Sequence, residues 1–239
     1  MDLGERRNLV PKLTPNNIHE FMSNNIVKTP TDISNADIPY SDHAKKLVWA
    51  RLGSAFPSVL TAGEGTVYAL EFVSGNNITA DSFLIYWVEY EADGAGVATW
   101  LGDDTQMMFT AIMSGCSFGL GSATRDGVRA AHVNSMSASA TGVPDANQLK
   151  SQHKKLKKLG LTTKEIAPDM YMLGDFDIAV KTTPFGYRPQ LAGGKVPMRG
   201  QVADTSGMSL PWKFCWQKYR VAGKNVTHMG VSQHAGGLF

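Results

Sequence analysis

The segment SFLIYWVEY (82–90) limits the fold more than any other stretch, because it is apolar on both faces of a strand. A half-exposed strand alternates apolar with polar residues. A run such as Phe83–Val88 needs cover on both sides, so it belongs in the middle of a sheet with a layer above and a layer below. It is also about a third of the roughly 20 residues that a membrane-spanning helix needs. TVYALEFV (66–73) and GVATWL (96–101) share this strand texture and are separated from it by Gly-rich turns. A chain of 239 residues, 43% hydrophobic and 18% charged, is long enough and apolar enough to enclose such a core.

Elsewhere the pattern predicts helices and loops. Residues 1–40 carry Pro11, Pro15, Pro30 and Pro39, paired asparagines and few large apolar groups, which predicts a partly ordered N-terminal arm with Thr14-Pro15 capping a short helix. Residues 41–239 then form one domain. Ser41 as N-cap, with Ala44, Leu47, Val48, Arg51 and Leu52 spaced for one face, predicts a helix. TQMMFTAIM (105–113) is read as a short helix stopped by Gly115, with strand as the competing reading. NQLKSQHKKLKKLG (147–160) is a helix with Leu149, Leu156 and Leu159 inward and its lysines in solvent. Thr182–Gly207 reads as loop with at most one short strand. WKFCWQKYRV (212–221) is a late strand with Phe214, Trp216 and Lys218 on one face and Cys215 on the other.

Composition excludes several function classes. A formal charge of +2 gives no overall electrostatic footprint for nucleic acid. MDLGERRNLV lacks the apolar core of a secretory signal, so a soluble protein is expected, remaining in its cytosol or leaving without a cleaved signal. Two cysteines and no Cys-x-x-Cys pair argue against zinc. His228 and His234 have no paired carboxylate or cysteine, so no metal is expected there either. A Cys116–Cys215 bridge is weighed against two reduced thiols, and the thiols are favoured. His153 and the Trp87/Trp100 pair are read as structural.

The chemistry concentrates in FTAIMSGCSFGLGSATRDGVRAAHVN (109–134). Gly115-Cys116-Ser117-Phe118-Gly119 satisfies Gly-x-Ser-x-Gly, but that elbow needs a following helix and GLGSATRDG cannot propagate one. Cys116–Ser122 and Val128–Asn134 instead read as a hairpin turning at Asp126-Gly127. If Ser122 pairs with Val128, Phe118 faces His132 and Cys116 faces Asn134, so Cys116 and His132 are diagonal neighbours on one face, roughly 5–8 Å apart. A slip of one residue would separate them. A thiol with a pKa near 8.5 needs such a neighbour to act as a nucleophile, and the same imidazole can protonate a leaving amine. Ser114 and Gly115 leave backbone N–H groups for an oxyanion, and Ser117 and the glycines let a substrate approach closely. The alternative is a buried small residue and an ordinary sheet histidine.

Thr110 strengthens the pattern. Phe-Thr, an apolar stretch, then Ser-Gly-Cys, followed by a hairpin carrying His, resembles the cysteine-dependent glutamine deamidases: the cytotoxic necrotizing factor catalytic domain, the Burkholderia lethal factor and the chemotaxis deamidase, nearest to the lethal factor. The likeness is close over Phe109–Asn134 and looser over Thr66–Asn134; the Cys-to-His interval is longer here than in the lethal factor. By position, the resemblance implies Cys116 as nucleophile, His132 as base and Thr110 as the residue orienting it through hydroxyl or carbonyl. It implies an α+β fold, a β-sandwich core of mixed sheets flanked by helices, and no cofactor. It also implies a toxin or secreted effector, monomeric, converting a glutamine of a target-cell protein such as a GTPase or helicase to glutamate. Specificity would lie in loops such as Phe185–Gly207 and Gly94–Gly96. The alternatives are a transglutaminase with the same site and a non-catalytic binding module using Lys154–Lys158.

Overall fold

A computed structural model of the chain describes residues 12–31, 35–55, 58–61, 65–91, 96–124, 127–135, 143–172, 177–189 and 211–234. In chain order the strands are β1 (Ile26–Lys28), β2 (Tyr40–Asp42), β3 (Leu47–Ser54), β4 (Val59–Leu60), β5 (Val67–Val73), β6 (Phe83–Val88), β7 (Tyr90–Glu91) and β8 (Thr99–Leu101). They continue as β9 (Met107–Thr110), β10 (Ser117–Leu120), β11 (Val128–Val133), β12 (Lys164–Ile166), β13 (Val180–Tyr187), β14 (Lys213–Ala222) and β15 (Asn225–Gln233). Among the described residues three α-helices accompany them: α1 (Ile18–Asn24), α2 (Ala146–Leu159) and α3 (Pro168–Tyr171).

The strands form a larger sheet in the order β1-β5-β3-β6-β9-β13-β14-β15-β4, with β2 beside β3, and a smaller one, β12-β10-β11-β7, with β8 beside β11. Both mix parallel and antiparallel pairs. The expected α+β fold with a sheet-based core is what the chain adopts. Phe83, Ile85 and Trp87 of β6 join Ile18 and Met22 of α1 in one cluster. Tyr86 and Val88, on the opposite face, join Phe118, Leu120, Val128 and Ala130 of the smaller sheet in another. This is the two-sided cover that SFLIYWVEY demanded. The outer face of the smaller sheet is covered by α2, whose Leu156 packs on Ala131 and Val133. None of the helices among the described residues is long and apolar enough to cross a membrane.

Four expectations give way. The helix expected from Ser41 is strand β2, a turn and strand β3. Val48, Ala50 and Leu52 alternate into the α1-side cluster while Trp49 and Arg51 face the more open side, and Leu47 is buried in the other cluster, so that Leu47, Val48 and Leu52 imitate a helical stripe. TQMMFTAIM contributes strand β9, parallel to β6 and antiparallel to β13. β13 is itself an eight-residue buried strand where the sequence suggested mostly loop; Pro184 is accommodated within it. Finally, residues 12–31 are not an arm: Leu13, Ile18, Met22, Ile26 and Val27 are buried, and Val27 N–H is held by Gln217 Oε1 at 2.9 Å. The helix near Thr14-Pro15 is present, as α1. Residues 1–11 lie outside the described residues.

Candidate active site

The hairpin β10–β11 pairs Ser117 with Val133, Phe118 with His132, Gly119 with Ala131 and Leu120 with Ala130, the register expected from the turn. Thr124 and Gly127 close it through reciprocal backbone bonds of 2.8 and 3.3 Å. Alternation then sends Ser117 and Gly119 toward α2. It sends Phe118, Leu120 and His132 into the space between the sheets, and Cys116, which precedes β10, shares that core cluster. Gly119 is required by close packing: a Cβ there would lie 2.5 Å from both the Leu161 carbonyl oxygen and a Leu156 methyl.

Thr110 arrives from the opposite sheet. β9 pairs Thr110 with Val88, and the Thr110 hydroxyl lies 2.8 Å from the Val88 carbonyl oxygen and 2.9 Å from His132 Nδ1. A carbonyl can only accept, so the single hydroxyl proton goes to Val88 and Thr110 Oγ1 must accept from His132 Nδ1–H. That choice fixes the tautomer. His132 Nε2 carries the free lone pair, and it is buried with no hydrogen-bond partner. Tyr90 packs against the imidazole with ring centroids 4.7 Å apart.

Cys116 is a free thiol, 6% exposed. Burial pushes its pKa up to about 12, opposed by the Ser114 backbone amide and by the charge of Lys181. Burial pushes His132 down to about 3. The two groups are therefore both neutral, on one face, and not hydrogen-bonded to each other; neither is a preformed ion pair.

The backbone around the thiol is fixed from both helices. Tyr171 Oη accepts from Gly115 N–H and donates to the Cys116 carbonyl, each at 2.8 Å. Gln152 Nε2 donates to the Gly115 carbonyl at 2.7 Å, and Ser117 Oγ donates to Gln152 Oε1 at 2.7 Å. Two expectations fall here. The Gly115 amide is committed to Tyr171, so it is not a free oxyanion donor, and Ser117, turned toward α2 with its hydroxyl committed to Gln152, does not open an approach to Cys116. Ser117 is likewise no elbow nucleophile, since it opens a strand. The Ser114 amide is turned to the Cys116 thiol, and the Ser114 hydroxyl receives Lys181 Nζ at 2.7 Å.

Sequence reasoning missed Gln152, Tyr171 and Lys181. A signal existed for Gln152, a polar residue on the inward stripe of Leu149 and Leu156; none marked the other two. Cys215 is buried in the α1-side cluster, as expected of an inert thiol. His153 pairs with Glu165 at 2.9 Å, while Trp87 is core but Trp100 is exposed. His228 Nε2 sits 3.1 Å from the Met22 carbonyl oxygen and His234 packs on Trp216. Among the described residues, no three His, Cys, Asp or Glu side chains gather as a metal site would need. Most of the expected specificity loops, 190–207 and 94–95, lie outside the described residues. No protein-family model matches the chain, and no curated protein matches it.

Proposed function

We propose that the chain is a cysteine-dependent protein-glutamine deamidase, with Cys116 as nucleophile, His132 as base and Thr110 as the residue that orients it. One observation carries the reading: the Thr110 hydroxyl, committed to Val88, leaves His132 with a buried, unpartnered Nε2 lone pair on the same face of the hairpin as a free cysteine. Buried polar atoms without partners are uncommon and call for an explanation; a base awaiting a proton is one.

The reaction follows from these groups. As the Cys116 sulfur bonds to the carboxamide carbon, its proton passes to His132 Nε2, and the carbonyl becomes an oxyanion. His132 returns the proton to the nitrogen, the C–N bond breaks, and ammonia leaves a thioester. His132 then takes a proton from water, hydroxide adds, and the C–S bond breaks to give glutamate and the free thiol. Starting from two neutral partners avoids creating an isolated buried charge before substrate arrives. A toxin or effector acting on a target-cell protein is the role the sequence resemblance favours.

The test is a cell lysate, bacterial or eukaryotic, incubated with wild type or Cys116→Ser and read by mass spectrometry for glutamine converted to glutamate. Conversion at few sites by wild type alone is expected. Amine incorporation exceeding acid formation would make the chain a transglutaminase. No modification by either protein, with binding abolished by neutralising Lys154, Lys157 and Lys158, would make it a binding module.

A further inference from the structure

The imidazole of His132 does not provide a positive charge for the thiolate. Before substrate arrives its Nε2 is enclosed without an acceptor, so protonating it in the resting site would bury an unpartnered N–H and a net charge together. A thiolate still needs a cation or donors near it. On the other side of Cys116, the backbone of Met113 is clamped to Thr182 by reciprocal bonds of 2.8 and 3.0 Å. The clamp places Lys181 next to Ser114, and Lys181 Nζ donates to Ser114 Oγ at 2.7 Å. A hydroxyl that accepts from an ammonium keeps its own proton to donate, and the ammonium polarises that O–H. Ser114 and Lys181 are only half-buried, whereas Cys116 and His132 are enclosed.

We infer that Lys181, acting with Ser114, is the positive pole of the site: it stabilises negative charge at Cys116 and on the oxyanion, while His132 works as a neutral base. This inference rests on the deamidase reading for the oxyanion but not for the thiol. Lys181 is a positioning residue, since it acts through Ser114 and through its field. Among the described residues, the charged and titratable groups facing the pair are few. Tyr171 of α3 is bonded to the Cys116 carbonyl and His132 of β11 shares the hairpin face of Cys116, both held neutral by burial, and Asp177 acts on Lys181. The electrostatic influence is mutual: Lys181 favours the thiolate, and the thiolate favours the ammonium against the partial burial that lowers its pKa.

The experiment measures iodoacetamide alkylation of Cys116 from pH 6 to pH 10, resolved by peptide mass spectrometry from the buried Cys215 of the same chain. Wild type, Lys181→Gln, Lys181→Arg and His132→Asn are compared, each first shown folded by its thermal transition. The expected result is a fall of about tenfold in the Cys116 rate at fixed pH in Lys181→Gln, equivalent to one pKa unit. Lys181→Arg should restore the rate, and Cys215 should not change. His132→Asn should lower the Cys116 rate at fixed pH by less than Lys181→Gln does. An unchanged Cys116 rate in folded Lys181→Gln overturns the inference, as does a larger fall in rate in His132→Asn. Neither outcome depends on finding glutamine conversion, so this inference and the deamidase reading fail separately.

Discussion

Thr110 Oγ1 on the larger sheet accepts a hydrogen bond from His132 Nδ1 on the smaller sheet, at 2.9 Å across the space between them. The site is therefore assembled by the docking of two sheets, and the orientation of the base depends on that docking. Thr110→Val keeps the shape of the side chain but leaves His132 Nδ1–H and the Val88 carbonyl without this partner. It should cost roughly 1–3 kcal/mol in urea unfolding and lower the rate of glutamine conversion at least tenfold, as other orienting groups do. Thr110→Ser should retain most of both. Wild-type turnover in Thr110→Val would remove Thr110 from the site.

Acid stability follows from the burial of His132. In the unfolded chain an imidazole takes a proton near pH 6.5, whereas the folded protein holds His132 neutral until about 3. Between those values the unfolded state binds more protons. The contribution of this group is thus fully present above about pH 6.5 and lost as pH falls toward 3, at up to roughly 1.4 kcal/mol per pH unit. Urea unfolding followed from pH 7 to pH 4 should show this slope. In His132→Asn the slope should decrease by the equivalent of one proton. An identical slope in both proteins would mean that the folded imidazole titrates normally.

The hairpin was legible because two independent constraints agreed: the Asp126-Gly127 turn fixed the register, and alternation fixed the faces, so Phe118 opposite His132 followed from counting. β3 was not legible, because the adjacent Leu47 and Val48 are buried on opposite faces at its start, and with Leu52 they fit a helix equally well although the strand alternates from Val48 onward. β13 was hidden for a different reason. Its Pro184 and Gly186 are usual loop residues, tolerated here where Gly186 must accommodate Met108 and Phe214, within 3.0 Å of where its Cβ would be. Lys181 and Tyr171 reach the cysteine only through tertiary packing, which no spacing along the chain encodes.

Gly119→Ala tests how tightly α2 is seated. The added methyl would meet a backbone carbonyl at 2.5 Å, which cannot rotate away as a side chain can. The helix or the Leu161 segment must move, at a cost of about 1–3 kcal/mol. Gly160→Ala, at a left-handed helix end with open space around it, should cost less, about 1 kcal/mol. Thermal unfolding of the two variants should rank them in that order. The reverse ranking would mean that the α2 interface yields easily.

Gln152 is the bridge between α2 and the cysteine loop, and its two bonds can be separated. Ser117→Ala removes only the donor to Gln152 Oε1, leaving that oxygen buried without its partner; Gln152→Leu removes both bonds, although Gln148 Nε2 still reaches the Gly115 carbonyl at 3.3 Å. Leaving a buried group unpaired costs about 1–3 kcal/mol, whereas removing both partners of a bond costs less than the two single losses together. The double variant Ser117→Ala/Gln152→Leu should therefore be more stable than the sum of the singles predicts, by about 1 kcal/mol. Gln152→Leu should also lower glutamine conversion more than Ser117→Ala, because it alone releases the carbonyl next to Cys116. Urea unfolding and conversion rates on the three variants check both statements. Strict additivity of the unfolding energies would show that the Ser117–Gln152 bond contributes nothing to the seating of the loop.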